Sequence, residues 1–441
     1  MTHICDDFAY GNGPRAACFW NGTANSPARM PANGQIHADV AIIGAGFTGL
    51  SAALRLAKAG YKVVVLDSRS VGWGASARNG GFCCIGGAKA SDTQLRRMVG
   101  PQAARDYRLA ERDAVYFTQY LMSQHGFDVD AQFGGETVLA HRQKDYEAFH
   151  DEAQSLSELY DVDVSVIPPD DLGKHGMSGP FYGAMNIPIG FGLNPRKYVL
   201  QLASAAESAG ARIFESSGVR SIEKVGHNWK LCTPNAQIES PKVVVATNGY
   251  SSETVPKWMA GRYLPTQSSV IVTRPLSPEE LAEQGWSTHQ LAYDTRNLLH
   301  YFRLLPNGRF LFGMRGSLST TSKTHEAVQS LIRHDFETMF PKWAHVETPW
   351  YWTGFVCLSR NLTPFAGPIP EHAGMYAGFG YHGNGVAMGS YSGALVADQI
   401  MGDTGLRLPK VMQIPPRKFP FGQKRRALMY PAYVAYNFKD R

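Results

Sequence analysis

Residues Ala38–Ser68 read ADVAIIGAGFTGLSAALRLAKAGYKVVVLDS, and their spacing specifies a complete βαβ unit for a dinucleotide. Val40–Ile43 is a short apolar run of the kind buried in a parallel sheet. Gly44-Ala45-Gly46-Phe47-Thr48-Gly49 fits G-x-G-x-x-G. Gly44 permits the tight turn, Gly46 lets the backbone approach a pyrophosphate, and Gly49 lets helix and strand pack closely. The helix expected over roughly 48–59 buries Leu50, Ala53, Leu54 and Leu56 and turns its N-terminal N–H groups on the phosphates. A second strand, Lys62–Leu66, ends on Asp67 and Ser68, where an acid hydrogen-bonds a ribose hydroxyl. Strand, glycines, helix, strand and acid all at the required spacing make dinucleotide binding the reading.

The stretch Val71–Gly81, VGWGASARNGG, bears on which dinucleotide. A nicotinamide enzyme would continue into another crossover helix; here a loop of small residues offers its backbone to a flat, hydrogen-bonding ring. Two later segments belong with it. Lys242–Tyr250, KVVVATNGY, is a β-branched run ending in small residues, and Met375–Ile400 carries a strand into Gly380-Tyr381-His382-Gly383-Asn384-Gly385 before a helix starting near Val386. That turn and helix end make a nest of N–H groups suited to negative charge.

Together these segments resemble the D-amino-acid-oxidase-like flavoprotein superfamily, in the branch containing γ-glutamylputrescine oxidase, glycine oxidase and sarcosine oxidase. The resemblance spans about 36–400 and implies FAD, held non-covalently. It implies that Gly44, Gly46, Phe47, Thr48, Gly49, Asp67 and Ser68 bind the dinucleotide. In the loop, Gly74 and Ala75 would bind the cofactor and Ser76 would meet the pyrophosphate, while Arg78, Asn79, Gly80 and Gly81 run along the flavin. Val219 would pack on adenine, and Ala246, Thr247 and Gly249 would close the site. Gly380, Gly383, Asn384, Gly385 and Val386 would face the pyrimidine edge, although the family's G-Y-x-G-H-G has His and Asn here in shifted order.

The 441 residues are too many for one simple core. The expected fold is α/β: a discontinuous Rossmann-like FAD-binding domain (1–90, 190–250, 350–405) and a second, α+β substrate domain on an antiparallel sheet (91–189, 251–349). A tail, 406–441, follows. Helices are expected over Gln94–His125, Asp145–Leu159 and Thr324–Phe340, another opens at Asn194-Pro195-Arg196, and Phe133–Ala140 reads as a strand. Ala211–Glu215 adds a parallel strand. Gln267–Thr273 is a strand, and Leu298–Leu304 and Arg309–Met314 form a hairpin across Pro306-Asn307-Gly308. In the tail, Lys424–Tyr433 reads as a helix whose Lys424-Arg425-Arg426 cluster forms a solvated face.

Composition excludes several classes. Hydrophobic content of 44% with 18% charged residues is that of an ordinary globular enzyme, and a net charge of +6 without an arginine–aromatic stripe argues against nucleic acid. No run of 18 apolar residues occurs, and the opening MTHICDDFAYGNGPRAACFW lacks the pattern of a secretory signal. Six scattered cysteines have no metal-ligand spacing, so no metal and a reducing, cytoplasmic location are expected. Where relatives bond flavin to a cysteine, the matching position falls near Gly354 rather than Cys357.

By the resemblance, the reaction moves a hydride equivalent from a C–N carbon to the flavin, and electrons pass to oxygen or a carrier. No dedicated base is required. Side chains expected at the substrate are Tyr301 and Arg303, on one side of the hairpin strand by period two, with Tyr381 and His382 beside the ring. His300 and Phe302 take the other side, and Trp352 is a core residue. Absences narrow the substrate. The arginine by which amino-acid-oxidising relatives hold a carboxylate falls here on Val356, and no lysine occurs in Leu311-Phe312-Gly313. The expected substrate is an amine, γ-glutamylputrescine-like or another primary or secondary one, with a cyclic or N-substituted amino acid such as pipecolate or proline, its electrons passed to a carrier, as the alternative. Oligomerisation stays open, and a flavin protein without turnover is disfavoured.

Overall fold

The computed structural model describes residues 2–440. A six-stranded sheet forms in the order Arg212–Phe214, Val63–Leu66, Val40–Ile43, Lys242–Val245, Met375–Phe379, Phe365–Pro368, parallel except for the last strand. Its strands are apolar on both faces because both are covered. Val40, Ile42, Val63 and Val65 pack with residues of the helices Phe47–Lys58, Pro195–Ser208 and Ala387–Met401. Ala41, Ile43, Val64 and Val243 pack instead with Ile36, Leu231 and Ile238 of a four-stranded sheet, Gly34–His37 with three strands between Ser221 and Ser240. Alternation within one run thus feeds two cores.

An eight-stranded sheet runs Trp350–Leu358, Leu264–Val272, Phe310–Arg315, His300–Leu304, Leu291–Asp294, Glu136–Leu139, Ala184–Ile187, Ser165–Ile167. All neighbours are antiparallel except Leu291–Asp294 with Glu136–Leu139, a parallel pair. The hairpin turns where Asn307-Gly308 demands it, with Gly308 at φ +72°. One face of this sheet presents Phe302, Phe310, Phe312 and Met314 to the helix Ser322–Met339. The other faces the flavoprotein motifs.

The structure corrects several boundaries. The long helix is two, Asp92–Val99 and Pro101–His125, broken at Gly100 with φ +86°. The strand expected over 133–140 shortens to Glu136–Leu139, because Gly134 and Gly135 both take positive φ. Trp350–Leu358, placed by sequence in the dinucleotide domain, is the edge strand of the eight-stranded sheet, paired with Leu264–Val272 over nine residues. The tail holds two 3-10 turns, Lys410–Gln413 and Gly422–Leu428, and then a helix, Met429–Lys439. Its cluster is not one solvated face: Lys424 is exposed, but Arg425 is fully buried, its guanidinium paired with Glu253 at 2.6 and 3.0 Å and bonded to Tyr263 O.

Candidate active site

One cavity of about 680 Å³ lies between the six- and eight-stranded sheets and is lined by every motif named above. At one pole it is walled by Gly44, Gly46, Phe47, Thr48, Asp67, Ser68 and Val219. Gly46 caps the helix Phe47–Lys58 without a side chain, leaving first-turn N–H groups toward the cavity. A Cβ on Gly46 would lie 2.8 Å from Ser76 Oγ, and one on Gly44, at φ +109°, 2.8 Å from Ala246 O. The Asp67 carboxylate accepts the Ala45 and Arg69 N–H groups at 2.8 Å each and keeps lone pairs for a further donor. Ser76 Oγ accepts the Phe47 N–H (3.1 Å), tying the two loops together.

The loop Gly74–Gly80 lies along the middle of the cavity, with Ala75, Ser76, Arg78 and Asn79 on its wall, and Ala246 and Thr247 face it. The loop is held from behind. Arg78 donates to Trp73 O, Gly74 O and Thr353 O, and its guanidinium lies 4.6 Å from the Trp73 ring centre. Asn79 Nδ2 donates to Ala75 O and Ser76 O, while its Oδ1 accepts the Gly81 N–H. Trp352 Nε1 donates to Arg78 O (2.7 Å) and Trp20 Nε1 to Asn79 O (2.9 Å). These polar groups are spent on backbone, the loop's own and Thr353 O of the edge strand, so the surface the loop offers is fixed before any ligand arrives. Cavities bounded by glycine and free helix N–H groups suit a dinucleotide with a flat ring, and the residues present fit FAD.

Four glycines and one arginine of the expected set lie off the wall. Gly49 packs the helix on its strand, since a Cβ there would meet Gly44 O at 1.9 Å. Gly81 (φ +74°) backs on Leu193 O, Gly249 backs on Phe355, and Gly380 turns the chain at φ +84°. Arg303 is the clearest correction. It shares the sheet face of Tyr301 but lies under the flavin loop, 1% exposed, where Nε donates to Gly80 O (3.1 Å), Nη1 to Gln132 (2.9 Å) and Nη2 to Leu193 O (2.6 Å). It reaches no substrate.

Tyr381 and His382 line the cavity with their polar atoms engaged elsewhere. The Tyr381 hydroxyl bonds Thr48 Oγ1 (2.8 Å). His382 donates from Nδ1 to Gly87 O (2.7 Å) and accepts the Ser359 N–H at Nε2 (3.2 Å). Burial lowers its pKa to about 4, so the ring is neutral with both nitrogens occupied and cannot relay a proton. It holds the turn, at φ +53°, that places Gly383, Asn384, Gly385 and Val386 on the wall.

At the far pole the walls come from the larger sheet. Tyr301 stands between Gly80 and Gly313, each of which would clash with its ring if given a Cβ, and its hydroxyl bonds Ser268 Oγ (2.8 Å). Three charged residues that sequence reasoning missed complete this end: Arg315, Lys89 and Glu136. Arg315 makes no side-chain hydrogen bond or ion pair among the described residues, and enclosure lowers its pKa. Lys89 opens into the cavity, where enclosure first and Arg315 second push its ammonium down to about 8. Glu136, 1% exposed, accepts the Ile85 N–H at Oε1 (3.1 Å), while Oε2 has no partner; burial raises its pKa to about 8. Tyr293 and Cys84 lie beside it. Only for Arg315 was there a signal, the period-two continuation from Gly313. Cys357 is off the wall and its thiol is pushed up to about 12, while Gly354 lines the cavity.

Comparison with known proteins agrees with this geometry. A family model described as FAD dependent oxidoreductase matches residues 39–399. The chain is 30% identical to the probable oxidoreductase OrdL of Haemophilus influenzae, over 92% of this chain and 94% of that one. It is 28% identical to the γ-glutamylputrescine oxidoreductase of Escherichia coli, over 93% and 94%. Among solved structures, glycine oxidase from Geobacillus kaustophilus shares the fold with a TM-score of 0.70 at 19% identity, covering 86% of this chain and 98% of that one.

Proposed function

The chain belongs to the FAD dependent oxidoreductase family, and from that premise we propose that it oxidises the C–N bond of a small amine to an imine. FAD, when bound, supplies the two-electron acceptor for the hydride, and the imine then hydrolyses in water. The first pole of the cavity would hold the dinucleotide, with Asp67 on the ribose and Gly46 and Ser76 at the pyrophosphate. Arg78, Asn79 and Gly80 would present the loop to the flavin, and the turn at Gly383–Val386 its N–H groups.

The observation that carries this reading is the far pole: an enclosed space bounded by an aromatic ring, unpaired cations and a carboxyl. Tyr301, fixed by Ser268, would set the substrate against the ring and exclude water. Arg315 and Lys89 would hold a carboxylate away from the reacting carbon, and the Glu136 carboxyl would face the substrate's nitrogen-bearing portion. γ-Glutamylputrescine carries both groups. The free guanidinium of Arg315 equally supports a second reading, a cyclic or N-substituted amino acid. Electrons would pass to oxygen or a carrier. In this reading the dinucleotide end would belong to one of the two domains expected from sequence and the substrate end to the other, with the strand Trp350–Leu358 on the substrate side.

Anaerobic bleaching of the bound flavin tests this with γ-glutamylputrescine, polyamines, pipecolate, proline, sarcosine and D-amino acids, followed by air. Rapid bleaching by an amine bearing a distant carboxylate is expected. Bleaching only by pipecolate or proline selects the second reading, and a flavin that none of them reduces overturns both.

A further inference from the structure

The helix Met429–Lys439 contributes no side chain to the cavity, yet it and the residue after it are bonded to two segments that do. The first is the loop between the strands Leu291–Asp294 and His300–Leu304. Tyr293 and Tyr301 flank this loop on the cavity wall, and Leu299 reaches the wall from within it. Asp294 holds the two ends, accepting the N–H groups of Arg296 (3.2 Å) and His300 (3.1 Å). At the apex, the N–H groups of Asn297 and Leu298 find no backbone acceptor among the described residues. The Asp440 carboxylate takes both, at 2.8 and 2.9 Å with one oxygen each, and also accepts from Asn297 Nδ2 (2.6 Å). A second route runs alongside. Arg142 donates to Lys439 O and is ion-paired with Asp145 (3.0 Å), which accepts the Thr295 hydroxyl (2.9 Å).

The second segment carries Arg315. Its guanidinium bonds no side chain or backbone among the described residues, so the backbone that bears it decides where it stands in the cavity. Gly316, the next residue, is fastened on two sides: its N–H donates to Gln267 O (2.8 Å), and its O accepts the Tyr433 hydroxyl (3.2 Å). Side chains that meet a ligand are only as well placed as the groups behind them, and a misplacement of about 1 Å can cost on the order of a hundredfold.

We propose that Asp440 and Tyr433 are positioning residues for the substrate end. They fix Leu299 and Arg315 from behind and so set how tightly substrate is held, without touching it. Neither makes a hydrogen bond to a residue of the dinucleotide end, so FAD binding does not depend on them. The proposal rests on the reading that this pole of the cavity takes the substrate.

Anaerobic stopped-flow reduction of the FAD-loaded full chain tests it, using whichever compound of the panel above bleaches the parent fastest. Asp440→Ala is expected to raise the Kd for that compound about tenfold and Tyr433→Phe about threefold, with the limiting rate of reduction within about twofold of the parent. FAD content and Tm should stay at the parent's values. Asp440→Asn keeps one acceptor oxygen and should fall between Asp440→Ala and the parent. Hydrogen exchange at 297–298 should speed about tenfold in Asp440→Ala, with or without substrate. An unchanged Kd in both variants overturns the proposal, and so does unchanged exchange. Loss of FAD together with a changed limiting rate overturns it too, since the helix would then be a general support. A parent flavin that no compound reduces overturns the substrate reading and this proposal with it, whereas a parent that is reduced normally while the variants match it overturns this proposal alone.

Discussion

Arg303 and Arg315 leave the same face of two paired strands, yet they belong to different kinds of site. Arg303 spends its donors on Gly80 O, Leu193 O and Gln132; Arg315 spends none on any described residue and stands in the cavity. The same contrast holds across the whole site. At the dinucleotide pole, Arg78, Asn79, Trp20 and Trp352 bond the protein's own backbone, and what remains for a ligand is main chain, glycine and the Asp67 carboxylate. At the substrate pole, charged side chains are left free. Rigid backbone recognises a constant cofactor; unsatisfied side chains recognise a particular substrate.

The largest expected effect breaks the dinucleotide pole. Gly44→Val places branched carbons where Ala246 O already lies within 2.8 Å of a Cβ, at a φ that valine avoids. Purified protein should carry little FAD, with affinity reduced on the order of a hundredfold or more. A normal flavin-to-protein absorbance ratio would remove Gly44 from the argument.

Substituting the two arginines sharpens the comparison. Arg315→Met should raise the KM for a carboxylate-bearing substrate about a hundredfold, the loss of a charge-assisted pair of roughly 2–3 kcal/mol. FAD content and Tm should barely change. Arg303→Met should do the reverse: unpaired Gly80 O and Leu193 O cost on the order of 3 kcal/mol of stability and loosen FAD. Substrate preference should stay as it was. If both variants change KM alone, the division between the poles is wrong.

These contrasts explain what was legible in the sequence. Gly44–Gly49, Gly74–Gly80 and Gly383–Val386 are local motifs whose glycines declare a backbone conformation, so most of that end of the cavity wall could be expected from sequence, Gly49 excepted. Period two correctly separated Tyr301 and Arg303 from His300 and Phe302, but periodicity gives a face and not a depth. Arg303 therefore read as a substrate residue, although the flavin loop lies over it. Lys89, Glu136 and Arg315 come from three segments that only the closed fold brings together, and none sits in a motif. Arg425 read as solvated because Glu253, its buried partner, is remote in sequence.

The Glu136 carboxyl offers a smaller, pH-dependent test. Its folded pKa, raised to about 8 by burial, exceeds the ordinary carboxylate value. The folded state thus holds a proton that the unfolded chain has released between about pH 4.5 and 8, and stability falls as pH rises through that window. Glu136→Gln keeps the acceptor for the Ile85 N–H and removes the titration. Its Tm should exceed the parent's by roughly 2–5 °C at pH 8 and by under about 1 °C at pH 5. A constant difference across that range would mean Glu136 is ionised throughout.

The smallest effect decides whether the turn after Phe379 acts in chemistry or only in architecture. Tyr381 and His382 sit where a proton-transfer residue is tempting to place, yet the hydroxyl is engaged with Thr48 and both imidazole nitrogens are engaged with backbone. Tyr381→Phe removes one hydrogen bond from the side of the dinucleotide helix, worth about 1 kcal/mol. Its Tm should drop by a few degrees, while the rate of flavin reduction at saturating substrate stays within about twofold. With His382 neutral above its pKa of about 4, that rate should show no imidazole titration between pH 6 and 8. A hundredfold slower reduction in Tyr381→Phe, with FAD still bound, would put this turn among the reacting groups and move the boundary between the two poles.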